Sequence, residues 1–139
     1  MGRIILYSIG CLVLMSQQVK SETFVCDIKK VLAVSDNGSF AATPYTDSLG
    51  KRHNRVSWDT ISGSVRLLHR DGSKPTRTIQ MQSLQKGNHE KSAIGMSIVK
   101  GTASTVVDMI NIYTWRKDNP FFLIDAHAGI FFSGHCYKL

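Results

Sequence analysis

From residue 23 onward the apolar positions recur every second residue rather than every third or fourth, the spacing of a strand with one face turned inward. Phe24, Cys26, Ile28, Lys30, Leu32 and Val34 fall on one side of the first extended segment. It stops at Ser35-Asp36-Asn37-Gly38-Ser39, a run whose side chains and glycine favour a turn. Further strands are predicted at 54–58, 64–69, 77–83, 93–99, 106–115, 121–126 and 130–137. Asp59-Thr60-Ile61-Ser62-Gly63 joins the first two of these as a hairpin, and Asp71-Gly72-Ser73-Lys74-Pro75 makes the next turn. Lys86-Gly87-Asn88, Lys100-Gly101-Thr102, Lys117-Asp118-Asn119-Pro120 and His127-Ala128-Gly129 separate the remainder. Val106, Met109, Ile110 and Tyr113 also fit a helical spacing, but the β-branched and aromatic content of 106–115 favours a strand. Residues 40–53, with Pro44, Gly50 and Lys51-Arg52-His53, read as the longest polar loop.

About eight strands on mostly short connections, with no repeat and no low-complexity tract, predict one all-β domain. The expected architecture is an antiparallel meander closing as a small barrel, with a β-sandwich as the alternative. Cys26 opens the first strand and Cys136 ends the last. In an even-stranded meander those two points lie at the same seam, so a disulfide Cys26–Cys136 would staple the closure. An immunoglobulin-type sandwich fits less well, because its bridge joins interior strands around a tryptophan.

Residues 1–21 read as a cleaved signal peptide. Arg3 gives a basic start, 4–15 is apolar apart from Ser8 and Gly10, and Val19-Lys20-Ser21 supplies a cleavage site. The apolar run is shorter than the roughly 20 residues a membrane helix needs. The alternatives are a lipid anchor on Cys11, whose preceding Ser8-Ile9-Gly10 lacks a leucine-like lead residue, and a buried helix. Export to the periplasm or beyond makes a pair of thiols far more consistent with a bridge than with catalysis. Cleavage takes Arg3 and Lys20 from the net charge of +7 and leaves +5 on residues 22–139. The basic residues are dispersed, with no run longer than two, so a solvated surface is expected and nucleic acid is not an expected partner.

Candidate chemistry is sparse. Asp125, His127, His135 and Cys136 cluster in sequence, but a hairpin turning at His127-Ala128 puts Phe121 beside Gly134 and His135 beside Pro120. That separates the two histidines by about 25 Å along the strands, too far to share a metal ion. Asp125 then reads as a solvated or turn-capping carboxylate. His53, Asp59, His69 and Asp71 surround the first hairpin without a serine elbow, HExxH, paired CxxC or phosphate-binding glycine loop. Trp58, Tyr113 and Trp115 are expected in the core. No catalytic residue, metal ligand or cofactor site is therefore assigned, and a hydrolase built on the first hairpin is the least favoured reading.

Thr23-Phe24-Val25-Cys26 after the leader, Trp58-Asp59-Thr60-Ile61-Ser62-Gly63, Pro120-Phe121-Phe122-Leu123-Ile124-Asp125 and the closing Gly134-His135-Cys136 resemble small uncharacterised secreted proteins of Gram-negative bacteria. That resemblance implies a periplasmic address and no activity. The early and terminal cysteines are also similar to those of the periplasmic inhibitors of C-type lysozyme. The chain lacks their Tyr-Ser-Asp-Gly type loop, so no inhibitory residue carries over. The expected function is a monomeric, non-catalytic domain that binds a small ligand or an envelope or extracellular protein, with 40–53 as its recognition element. Inhibition of a secreted hydrolase such as lysozyme is the alternative.

Overall fold

The computed structural model describes residues 22–139 except 76 and 89; the expected signal peptide and Cys11 lie outside the described residues. The elements are β1 (Thr23–Val34), β2 (Phe40–Ala41), α1 (Pro44–Arg52), β3 (His53–Asp59), β4 (Ser64–His69), β5 (Arg77–Gln80), β6 (Gln82–Gln85), β7 (Ala93–Lys100), β8 (Thr105–Ile112), β9 (Pro120–Asp125) and β10 (Ile130–Lys138). No described helix is long and apolar enough to cross a membrane.

All the strands belong to one antiparallel sheet in the order β5-β4-β3-β1-β10-β9-β8-β7-β6, with β2 attached to β1. The sheet curls nearly into a closed barrel, not a sandwich. Its two terminal members, β5 and β6, are consecutive in the chain and separated only by Met81. One bent strand thus passes from the edge of β4 to the edge of β7, and at the crossing the Met81 N–H donates to the Gly63 carbonyl. Counted that way, and with β2 set aside, the wall is an up-and-down meander of the expected number of strands.

The seam is β1 against β10, where Cys26 stands directly opposite Cys136. The two are joined by a disulfide, with Cα atoms 3.8 Å apart. Asn119, at positive φ, secures this end of β10: its carbonyl accepts the Cys136 N–H at 2.9 Å and its side-chain amide donates to the Cys136 carbonyl at 3.2 Å. Midway along the seam β1 carries a bulge between Ile28 and Lys30. A bulge inserts one residue and reverses the inward-outward alternation beyond it. Phe24 and Cys26 point inward before it and Val31 after it, while Lys30 and Val34 are exposed. The single apolar face expected for this strand is therefore split into two phases.

The interior is packed with side chains. Trp58, Val56, Val65, Ile110, Ile112 and Leu123 are wholly removed from solvent. Trp58 reaches across from β3 to β7, where Gly95 makes room: a Cβ there would sit 2.8 Å from the indole Cζ2. Phe121, Leu123, Ile130 and Phe132 of the last hairpin belong to this core, whereas their neighbours Phe122, Ile124 and Phe131 turn outward.

The segment expected as a polar loop forms α1. Thr43 caps it, accepting the Thr46 N–H at 3.2 Å, while the Thr46 hydroxyl accepts the Thr43 N–H at 2.8 Å. Pro44 occupies the first turn, Asp47 lies near the start, and Lys51 and Arg52 lie at the end, an arrangement that complements the helix dipole. The helix lacks a long apolar stripe and depends on its contact with the barrel, through buried Thr46 and half-buried Leu49 and Gly50. Gly50 faces β1, where a Cβ would meet the Val31 Cγ2 at 3.5 Å, an ordinary packing distance.

Candidate functional site

The sequence-predicted chemistry is dispersed by the fold. His127 is exposed on the β9–β10 turn, and His135 is exposed at the other end of that hairpin, paired with Pro120 on one side and Asp27 on the other. The register Phe121 with Gly134 and His135 with Pro120 is the one expected. Among the described residues no group of histidine, cysteine and acidic side chains is placed to hold a metal ion.

Asp125 is the turn-capping carboxylate of the two alternatives expected, and it is not solvated. It caps the turn by accepting the Ala128 N–H at 3.2 Å, but it points into the barrel end and is 3% exposed. There its other oxygen pairs with the Arg77 guanidinium. A buried carboxylate needs such a partner because desolvation of an isolated charge is prohibitive. Asp108, also buried, accepts the Ala126 N–H at 2.9 Å, so two inward carboxylates anchor the same turn.

The four polar residues of the first hairpin fall into three places. His53 and His69 meet across β3 and β4, with ring centroids 4.9 Å apart. His53 is buried, and its imidazole is held below the ordinary histidine value first by that burial, then by His69 and Arg52. Asp59 lies at the opposite end of β3, where the N–H groups of Ser62 and Ile61 hold its carboxyl below the usual range. Asp71 is likewise depressed, chiefly by the Ser73 N–H. Both carboxylates act as turn caps held in the anionic form, the reverse of what a general acid requires.

Of the aromatic residues expected inside, Trp58 is there and Trp115 is not: Trp115 is 49% exposed. The strand expected to contain it ends at Ile112, and Trp115 lies in the turn that follows. The Arg116 guanidinium lies over both Tyr113 and Trp115, at 5.1 and 4.7 Å from the ring centroids. The rings continue over the outer wall from Tyr113 to Phe122, Phe131 and Phe40.

The feature that sequence reasoning missed is a convergence of positive charge. Lys29-Lys30, Lys51-Arg52 and Arg70 are far apart in the chain, yet Lys29, Lys30, Lys51 and Arg70 line one groove of about 600 Å³ between α1 and β1. Arg70 is tied to the end of α1: its N–H donates to the Arg52 carbonyl and its Nε to the Lys51 carbonyl, at 2.9 and 3.2 Å. All five basic side chains are exposed, and among the described residues Asp47 is the one acidic residue lining the groove. The doublets were legible in the sequence; their meeting required the pairing of β1, α1 and β4. Comparison with protein-family models, curated proteins and solved structures gave no match to this chain.

Proposed function

We propose that this protein is an exported, non-catalytic binding domain whose recognition surface is α1 with the groove beside it, and whose partner is an envelope or extracellular component. The observation that carries the reading is the contrast between a barrel interior filled by Trp58, Ile110, Leu123 and their neighbours and an open basic groove on the wall. A packed interior favours an external partner over a ligand carried within, and a rigid disulfide-closed wall is suited to presenting a short helix. The turn-capping roles of Asp59 and Asp71 support a non-catalytic reading.

The test places a photo-crosslinking residue at position 51 and, separately, at position 82 on the remote β6, in cells that export the protein. Discrete adducts from position 51 and none from position 82 are expected. Adducts from neither, or the same adducts from both, would remove the groove as the recognition surface.

A further inference from the structure

Between its two strand neighbours β1 has an unpaired stretch. Its pairing with β3 ends at Asp27 opposite Arg55, and its pairing with β2 covers only Ala33 and Val34. Among the described residues, Ile28, Lys30, Val31 and Leu32 have a strand partner on the β10 side alone, and Lys29 is the bulge between them. Their other edge faces the groove, which is lined by these same five residues and by the inner side of α1. An unpaired strand edge is a template for another extended chain, and main-chain hydrogen bonds then supply affinity while flanking side chains select the sequence.

We infer that the groove takes an extended acidic peptide segment of a protein partner, added as a short strand to the free edge of β1 at 28–32. This rests on the groove being the recognition surface. Charge complementarity selects the occupant: among the described residues Lys29, Lys30, Lys51 and Arg70 line the groove against one carboxylate, Asp47. The lysines that would repel a basic strand, and the bulge that discourages uncontrolled sheet growth, leave an edge open to a carboxylate-bearing one. About 16 Å of strand edge is available at 3.3 Å per residue, enough for a segment of about five residues. The aligned backbone edge distinguishes this occupant from a polyanion such as a sulfated polysaccharide, which needs only the charges.

The probe is a ten-residue blocked peptide of alternating glutamate and valine, titrated into the isotope-labelled, oxidised protein and followed by backbone amide shifts. Three comparison ligands accompany it: the lysine–valine counterpart, the glutamate–valine peptide N-methylated at alternate residues along either edge, and dextran sulfate. Shifts centred on 28–32 and 46–51 are expected. Lys29→Glu with Lys51→Glu should weaken binding by roughly tenfold or more, and Lys51→Gln by less, with amides remote from the groove unmoved. N-methylation along the pairing edge should abolish binding.

Failure of the glutamate–valine peptide to bind, equal binding by the lysine–valine peptide, or full binding by both N-methylated forms would overturn the inference. So would dextran sulfate shifting the same amides while the peptide shifts none. Crosslinks from position 51 together with any of these results would leave the groove as a binding surface and remove only strand addition.

Discussion

Gly134 faces Ile28 across the β1–β10 seam at the point where β1 carries its bulge. A Cβ on Gly134 would overlap the carbonyl oxygen of Asp27 and lie 3.0 Å from the Lys29 amide nitrogen. The bulge and the glycine are therefore one device: the extra residue pushes backbone into space that only a residue without a side chain leaves free. Gly134→Ala should destabilise the protein by about 3 kcal/mol, the upper end for overpacking because the obstruction is backbone. Urea unfolding of the oxidised protein measures this; an unchanged midpoint would mean that the seam relaxes without cost.

The disulfide closes a sequence separation of 110 residues at that same seam. Chain-entropy reasoning gives about 4 to 5 kcal/mol for a loop of this size. Reduction, or Cys26→Ala with Cys136→Ala, should lower the urea midpoint correspondingly. A fall of under about 1 kcal/mol would show that strand pairing alone holds the closure.

Arg77 and Asp125 form an ion pair of unequal exposure, the carboxylate buried and the guanidinium partly open to solvent. Arg77→Met leaves a buried charge facing an apolar chain and should cost about 2 to 3 kcal/mol, below the full range for buried pairs because solvent reaches the arginine. Asp125→Asn in the same background removes the charge and should restore part of the loss. A double-mutant cycle that is simply additive would refute the coupling.

The acid response follows from His53. Its folded-state pKa lies below the ordinary histidine value of 6.5, so the unfolded chain takes up a proton at higher pH than the folded one. The stability this group contributes is present above about 6.5 and is lost as pH falls through the window below it. Asp59 and Asp71, depressed from 3.8, act lower: their contributions are present above that value and drain away as pH falls through their folded-state values. Urea midpoints between pH 7.5 and 5 should decline in the native protein and be flatter in His53→Gln. Parallel curves would assign the decline to another group.

Where the alternation of apolar residues and the turn residues between them act locally, the sequence was sufficient. Every predicted strand is present, and the last hairpin has the expected register because its turn and its two apolar runs leave one pairing that turns Phe121, Leu123, Ile130 and Phe132 inward together. The closure was legible too, through Cys26 and Cys136, since two cysteines at the ends of an even-stranded meander can meet at only one seam. The α1 signals were there in Thr43, Pro44 and Asp47, but a short helix with glycine and serine inside it has little stability of its own. It exists because Thr46 and Leu49 find a barrel to pack on.

The face that each residue of β1 presents was not legible, because the bulge at Lys29 is fixed by its partner strand and by Gly134 more than a hundred positions away. The same holds for the burial of Asp125, which depends on Arg77 across the barrel end, and for the basic groove, which depends on Lys29 and Lys30, Lys51, and Arg70 being carried from three places in the chain to one. Local alternation, turn composition and the cysteine pair determined that this chain is an all-β barrel with a stapled seam. Phase along a strand, pairing of buried charge and convergence of surface charge were decided only in three dimensions, since each is a relation between residues that no local pattern brings together.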